Sequence, residues 1–242
     1  MFLPLHDGLA LRHLERAIVT ILIVVANIAI FAAETAGILG PASKVDVGLG
    51  LIPAVITGKA VVSPELAVVP SFLTPVTSMF LHGGFFHLAG NLMFLWVFGD
   101  NVEDAMGHLR FAAFYLVCGV CAGLTYVYMF PDSRNPLIGA SGAISGVAAA
   151  YLLLYPRSRV FGLLLNWIPA RAPSVSLIGL WVAYQIYFAF AGGDAQIGWW
   201  AHAGGIIAGA VLLPVFRHWK PAPPEPEDKP ENEPDDKGQN AA

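Results

Sequence analysis

Long apolar runs dominate this sequence and restrict what the chain can fold into. A helix needs about 20 apolar residues to cross the hydrocarbon core of a bilayer, and six runs approach or reach that length. We name them span 1 to span 6; they cover residues 17–39, 85–103, 109–130, 139–155, 174–191 and 199–216. The sequence therefore predicts an all-α polytopic membrane protein, built as a bundle of six transmembrane helices.

Composition excludes several other classes of protein. Charged residues make up 12% of the chain, whereas they are about a quarter of an ordinary globular protein. Thirteen basic residues against 17 acidic ones leave no basic surface for nucleic acid. Two cysteines cannot form a disulfide scaffold in a chain of this length. The expected surroundings are the lipid bilayer.

The chain divides into three predicted parts. They are a short cytoplasmic segment at 1–16, a membrane domain at 17–216 and an acidic, proline-rich cytoplasmic tail at 217–242. From position 221 onwards the tail has seven acidic residues, two lysines and no aromatic or large aliphatic residue, so disorder is predicted. Span 1 is longer than the core of a signal peptide, and no clear cleavage site follows it, so a retained helix is predicted.

Three connecting segments carry weaker expectations. Segment 40–84 contains five prolines and is expected to be an interfacial or re-entrant excursion. Segment 160–168 is apolar but short and is expected at the membrane interface. Glu103, Asp104 and Arg110, between spans 2 and 3, are expected to form a solvated turn.

The distribution of basic residues predicts the orientation. Six spans place both termini on one side, together with ten of the 13 lysines and arginines. The positive-inside rule assigns that side to the cytoplasm.

Polar side chains within the spans are the main functional signal, because a polar group in hydrocarbon is costly unless it is paired or used. His87 and Asn91, four residues apart on span 2, share one helical face, and His82 precedes them. Ser141 lies near the start of span 4, and His202 lies about one turn into span 6. Spans 2, 4 and 6 run in the same direction, so these groups are expected at a similar depth, near the non-cytoplasmic face.

Small residues predict close contact between spans 4 and 6. Gly142 and Gly146 on span 4, and Gly205 and Gly209 on span 6, have the four-residue spacing that lets helix backbones approach closely. Such an approach would bring the serine of span 4 within reach of the histidine of span 6.

A hydrogen bond between Ser141 and His202 would provide what nucleophilic acyl transfer needs. The imidazole takes the hydroxyl proton and later returns it to the leaving amine. His87, the Asn91 side-chain amide and the Ser141 backbone N–H could stabilise the oxyanion. The only carboxylate expected near this depth is Asp194 in the last loop, so a dyad is expected, not a triad.

Taken in chain order, three motifs resemble those of the rhomboid family of intramembrane serine proteases. The motifs are His82-xxxx-His87-xxx-Asn91, Gly139-Ala140-Ser141-Gly142 and Ala201-His202-xx-Gly205. Together, at matching helix positions, they are specific, and the resemblance covers about residues 17–216. By this resemblance Ser141 matches the nucleophile, His202 the general base, and His87 and Asn91 the oxyanion contributors. Supporting positions are His82, Gly139, Gly142 and Gly205.

The resemblance also implies a function and a location. It implies a bacterial, six-helix protease of the inner (cell) membrane that cleaves transmembrane segments of membrane proteins without a metal or another cofactor. Span 5 and the glycine-rich loop after it would form the mobile entrance for substrate. The oligomeric state and the physiological substrate stay open.

The sequence departs from the family pattern in two places. Many members carry an aromatic residue four positions after the nucleophile, where it can stack on the catalytic histidine; here that position is Ser145, so His202 must be oriented by another group. Many members also carry a Trp-Arg pair in the first outer loop, and segment 40–84 contains neither residue.

Three other functions are alternatives to a serine protease. A metal site using His82, His87 and His202 lacks a H-E-x-x-H motif and any paired intramembrane carboxylate. A transporter would show inverted repeats or helices broken at the midplane, and neither is apparent. The remaining alternative is a catalytically inactive, rhomboid-like protein for binding or quality control of membrane proteins, which would be expected to lack the serine or the histidine.

Overall fold

The computed structural model describes residues 2–164, 168–192 and 198–219. The tail segment 221–242, predicted to be disordered, and most of the glycine-rich loop expected at the entrance lie outside these residues. Three strands and nine helices are described: β1 Phe2–His6, α1 Ile18–Thr35, α2 Ala42–Leu49, α3 Pro53–Ile56, α4 Thr74–Thr77, α5 Phe85–Met106, α6 His108–Met129, α7 Ser141–Leu154, β2 Arg159–Leu164, β3 Ile168–Pro173, α8 Ser174–Ala191 and α9 Trp199–Phe216. The mainly helical, polytopic fold expected of a membrane protein is confirmed.

Each predicted span has a matching helix: α1, α5, α6, α7, α8 and α9. Among the described residues, α1, α6, α8 and α9 are long and apolar enough to cross a membrane unaided. Helix α5 carries three carboxylates near its end and joins the preceding segment Ser71–Phe80 at an angle of 85°. The two segments together pass as one bent span.

Helix α7 is the exception in length. Its 14 residues rise about 21 Å, which is less than the roughly 30 Å of hydrocarbon. It is also the most enclosed of the six helices, because nearly all its residues are buried. Neighbouring helices surround it, so α7 does not have to meet lipid along its length and can begin within the bundle.

The core around α7 has two different halves. Near the end of α7, fully buried aromatic residues pack together, including Phe98, Tyr115 and Tyr151. Near the start of α7 the neighbours are small residues: a Cβ on Gly142 would meet Ala122, and one on Gly146 would meet Cys118. Bulky aromatic side chains fill the core near the end of α7, whereas small residues let helix backbones approach closely near its start.

Glycines set the spacing of α7 and α9. A Cβ added to Gly205 would overlap the carbonyl oxygen of Gly142, and one added to Gly209 would overlap that of Gly146. The close contact expected between these helices is therefore confirmed. The adjacent Gly204 faces the other way, where a Cβ would overlap the Thr125 side chain of α6. Helix α9 thus contacts two neighbours through consecutive glycines.

Segment 40–84 is an excursion of short helices, as the prolines predict. Its described helices α2, α3 and α4 have eight, four and four residues, which is too short for a span. Reciprocal backbone hydrogen bonds between Leu51 and Leu137, of 3.1 and 2.8 Å, tie the excursion to the segment before α7. This backbone link orders the loop without a Trp-Arg pair.

A three-stranded antiparallel sheet is the feature that the apolar pattern does not predict. Its order is β1-β2-β3, and β2 occupies most of the segment expected to be merely interfacial. Strand β1 lies in the N-terminal segment, too short by itself to indicate a strand. Residues 2–6 form a strand because they pair with β2. This pairing can be identified only from the tertiary structure.

The expectation of a solvated turn at Glu103 and Asp104 is wrong, because both side chains are buried. Asp104 accepts backbone N–H bonds of 2.8 to 3.2 Å from Arg12, His13 and Leu14. Glu103 accepts from the backbone of Val19 and Thr20 and from the Thr20 hydroxyl, at 2.7 to 2.9 Å. Buried carboxylates are stable when they have such donors, and these donors come from the start of the chain.

Asp7 provides a further contact for the N-terminal segment. Its carboxylate accepts hydrogen bonds from the Tyr151 hydroxyl at 2.7 Å and the Asn101 side-chain amide at 2.8 Å. Burial raises the pKa of this carboxyl group, and the Tyr151 hydrogen bond acts in the opposite direction. Polar contacts therefore join residues 2–16 to α5 and α7. The pairing of β1 with β2 is an additional link.

The glycine contact between α7 and α9 leads to a stability prediction. Gly205→Ala should lower the melting temperature in detergent, because the new methyl group meets backbone that cannot rotate away; overpacking of this kind costs about 1–3 kcal/mol. The matched control is Gly179→Ala on α8, where a Cβ has nothing within 4 Å. That control should be neutral or slightly stabilising. Equal melting temperatures for the two variants would contradict the close-approach argument.

Candidate active site

Three helices begin at the same end of the bundle and bring polar side chains together. His87 is the third residue of α5, Ser141 is the first residue of α7, and His202 is the fourth residue of α9. Helices α6 and α8 return the chain between them, so α5, α7 and α9 share a direction. A polar group within the first turn of each helix therefore lies near one end.

Ser141 and His202 are in direct contact. The Ser141 Oγ lies 2.7 Å from the His202 Nε2, a hydrogen-bond distance. The serine is half-buried and the histidine is buried at 9% exposure. Glycine packing one turn further along α9 holds the two side chains at this separation. The pair has the geometry of a nucleophile and its general base.

The second ring nitrogen of His202 faces α8. Its Nδ1 lies 2.8 Å from the Gln185 Oε1, and Gln185 is buried at 5% exposure. An amide oxygen can only accept a hydrogen bond, so Nδ1 carries the hydrogen and donates it. In the neutral ring Nε2 is then the acceptor for the Ser141 hydroxyl.

Sequence reasoning missed Gln185, although a signal for it was present. The stretch from Leu180 to Ala191 is otherwise built of aliphatic and aromatic side chains, with Gln185 as its one amide. The argument that singled out Asn91, a polar group in hydrocarbon, applies equally to Gln185. Its spacing along α8 did not identify the residue that it faces; only the packing of α8 on α9 does.

Ser145 does not orient His202. Its hydroxyl donates to the Ser141 carbonyl oxygen at 2.6 Å, within its own helix. An aromatic contact reaches His202 from elsewhere: the Trp199 ring lies 6.2 Å away, edge to face at 86°. Trp199 in turn contacts Tyr184 at 5.7 Å and Phe188 at 5.1 Å, both on α8.

A glycine turn brings His87 and Asn91 close to the serine. Gly139 has φ of +122°, which side chains rarely adopt, and its N–H donates to the Ser78 carbonyl oxygen at 2.9 Å. A Cβ on Gly139 would lie 2.8 Å from the His87 Nε2 and 3.8 Å from the Asn91 Nδ2. Both donors therefore face the backbone two residues before Ser141.

Three donors are available for an anion beside Ser141. The buried Asn91 Nδ2 has no hydrogen-bond partner among the described residues. Helix α7 begins at Ser141 without a side-chain cap among those residues, and first-turn N–H groups of a helix have no intrahelical acceptor. The Ser141 N–H, Asn91 and the exposed His87 are thus candidate donors for negative charge near the start of α7.

His82 lies behind these donors. It is buried, and its ring contacts that of His87 edge to face with centroids 5.1 Å apart. Neither ring nitrogen has a hydrogen-bond partner among the described residues. The ring supports the position of His87 by contact.

The remaining expectations concern metal and the entrance. Across the part of the chain that the structure describes, no three His, Cys, Asp or Glu side chains are grouped as metal ligands. On α8, Trp181 contacts Phe94 of α5 with centroids 5.5 Å apart, whereas Tyr184 and Phe188 face α9. The aromatic residues of α8, the helix expected at the entrance, therefore face two different neighbours.

Comparisons with known proteins find a matching family model and several relatives. The family model described as Rhomboid domain matches residues 70–219. Rhomboid protein 1, mitochondrial, of Saccharomyces cerevisiae is 28% identical over 153 residues, which are 59% of this chain and 41% of that protein. Rhomboid-like protein 11, chloroplastic, of Arabidopsis thaliana is 29% identical over 157 residues, 60% of this chain and 52% of that protein.

A third relative matches a shorter region more closely. Presenilin-associated rhomboid-like protein, mitochondrial, of Homo sapiens is 38% identical over 85 residues, 34% of this chain and 22% of that protein. The chain thus spans about half or less of the length of these relatives. The names of these relatives place them in mitochondria or chloroplasts. They therefore give no support to the expected location in a bacterial inner membrane. Because the family model covers more than half of the chain, this integral membrane protein belongs to the rhomboid family.

Proposed function

We propose that this protein is an intramembrane serine endopeptidase that cleaves transmembrane segments of membrane proteins with a Ser141–His202 dyad. The observation that carries the proposal is the 2.7 Å contact between the Ser141 Oγ and the His202 Nε2, at the shared end of α5, α7 and α9. Neighbouring donors at His87, Asn91 and the Ser141 N–H add the second requirement of acyl transfer, a site for the oxyanion.

Acylation begins with the hydroxyl proton. His202 Nε2 accepts it as the Ser141 Oγ attacks the scissile carbonyl carbon, and the carbonyl oxygen becomes an oxyanion. The Ser141 N–H, His87 and Asn91 donate to this oxygen. When the tetrahedral intermediate collapses, the C–N bond breaks, and the proton on Nε2 passes to the leaving amine. The other half of the substrate remains as an ester on Ser141.

Deacylation repeats these steps with water. His202 takes a proton from the water, whose oxygen attacks the ester carbonyl, and then returns the proton to the Ser141 Oγ. The product is a carboxylic acid, and the dyad regains its starting state. No cofactor is needed for this sequence.

Substrate class and membrane orientation form the finer part of the proposal. Counted along the six predicted spans, ten of the 13 basic residues fall on the side of the termini, so we place the termini on the cytoplasmic or equivalent positive side. The dyad then lies near the opposite face, within reach of water. Domain limits at 17–216, with a separate acidic tail at 217–242, belong to the same proposal.

The alternative is an inactive, rhomboid-like protein for binding or quality control. Presence of both dyad residues at hydrogen-bond distance argues against it, because a binding protein has no need of a serine aligned on a buried imidazole. Labelling of the serine separates the two functions directly.

The dyad makes the first functional prediction. Ser141→Ala and His202→Ala should each abolish cleavage of a transmembrane substrate and covalent labelling by a fluorophosphonate probe, and the double variant should be no worse than either single variant. Ser145→Ala is the matched control, because it removes a buried hydroxyl four residues along the same helix. It should keep both activities. Substantial cleavage by Ser141→Ala would overturn the assignment.

Asn91 makes the second functional prediction. Loss of one oxyanion donor typically lowers turnover on the order of 100- to 1000-fold. Since His87 and the Ser141 N–H remain, Asn91→Ala should lose less activity than Ser141→Ala, and the loss should fall on kcat. Steady-state kinetics on one substrate checks this. Unchanged kcat with a raised KM would make Asn91 a substrate-contact residue.

The third functional prediction concerns the contact between α5 and α8. An aromatic pair contributes about 0.5–1.5 kcal/mol beyond its burial, so losing the Trp181–Phe94 contact should favour opening by about two- to tenfold. Trp181→Ala should therefore speed cleavage of a transmembrane substrate more than that of a short soluble peptide.

Phe188→Ala is the companion variant, because Phe188 faces α9 and not α5. It should give a smaller gain on the transmembrane substrate than Trp181→Ala. If Trp181→Ala changed both kinds of substrate equally, entrance between α5 and α8 would have no support.

A further inference from the structure

We propose that Gln185 is the positioning residue of the general base: it holds His202 in the tautomer and ring orientation that leave Nε2 free to accept the Ser141 proton. This role rests on the proposed serine protease function. It assigns to an amide on α8 the place that a carboxylate takes in a Ser-His-Asp triad.

The position of Gln185 on α8 supports the assignment. Buried positions of this helix are Ser174, Ile178, Gln185 and Ala189, which form one inward-facing stripe. Gln185 lies on that stripe among apolar side chains, where an amide is costly unless it is hydrogen-bonded. Its Oε1 meets His202 Nδ1 at 2.8 Å.

Chemistry makes the contact directional. With Oε1 turned towards Nδ1, as in the structure, the amide accepts from the ring form that has hydrogen on Nδ1, and the lone pair stays on Nε2. The opposite tautomer would point a hydrogen at the Ser141 Oγ and could not take its proton. After proton transfer the ring is cationic, and the same amide oxygen still accepts from Nδ1.

Other described groups do not provide this function. The Ser145 hydroxyl is bonded to the Ser141 carbonyl oxygen, and Trp199 meets the imidazole through its ring. Among the described residues, the polar side chains hydrogen-bonded to His202 are Ser141 and Gln185. Gln185 thus provides the group that orients His202, given that position 145 is serine and not an aromatic residue.

The first test removes the acceptor while keeping the bulk. Gln185→Leu should lower kcat about 10- to 100-fold, the range for one hydrogen bond to a charged partner, with KM nearly unchanged. Ile178→Leu, a volume-conserving change on the same buried stripe, is the control and should behave as wild type. Wild-type kcat in Gln185→Leu would overturn the proposal.

The second test distinguishes positioning from packing. Gln185→Glu keeps an acceptor oxygen at the same reach, so activity should exceed that of Gln185→Leu. A carboxylate favours the protonated imidazole, so the acidic limb of the kcat/KM profile should move to higher pH. If Gln185 served only packing, a buried charge would be the worse of the two substitutions, and no shift of the profile would appear.

A third measurement does not depend on proteolysis. Nitrogen NMR of histidine-labelled protein, with His202 assigned by comparison with His202→Asn, should show hydrogen on Nδ1 in wild type and loss of this preference in Gln185→Leu. Identical spectra would refute the role of Gln185 even in an active enzyme. A wild-type protein with the expected tautomer but without Ser141-dependent labelling or cleavage would instead refute the proposed function.

Discussion

Backbone contact between α7 and α9 is the constraint on which the site depends. Gly205 lies three residues after His202 and packs against the carbonyl of Gly142, the residue next to Ser141. Any side chain at Gly205 would separate the helices within one turn of the dyad. In lipid, where apolar side chains gain little by avoiding the solvent, such close van der Waals contact is a main source of helix association. Stability and site geometry therefore come from the same glycines.

A second constraint acts at the opposite end of the bundle. Helix α1 has no side-chain cap of its own at Ala17, and its first N–H groups are satisfied by Glu103 of α5. Asp104 does the same for the backbone just before α1. Two carboxylates at the end of α5 are unfavourable for that helix dipole, but Glu103 caps α1 and Asp104 binds the segment before it. The arrangement ties the most lipid-exposed helix to the core.

Sequence reasoning predicted the parts of this structure that are local or periodic. Apolar length gave the bounds of α8 and α9, and helix direction placed Ser141 and His202 at one depth. It could not provide the pairing of β1 with β2, because these strands lie far apart in the chain, and it took the residues of β2 for an interfacial segment without a strand. It misjudged Glu103 because charge alone predicts exposure to solvent, whereas the backbone N–H groups that donate to its buried carboxylate lie more than 80 residues earlier. Gln185 had a visible signal, but its partner depended on how α8 rotates against α9.

The two roles proposed for helix α8 compete. As the proposed entrance it would have to move away from α5, yet as the proposed support of His202 it would have to stay beside α9. The contacts separate these demands. Tyr184 and Phe188 pack on Trp199 next to Gln185, whereas Trp181, one turn earlier, provides the ring contact to Phe94 of α5. A motion that opens the α5 side while α8 pivots on the Trp199 cluster would admit substrate and keep the Gln185–His202 hydrogen bond. A displacement of the whole helix would open the site and release its base at the same time.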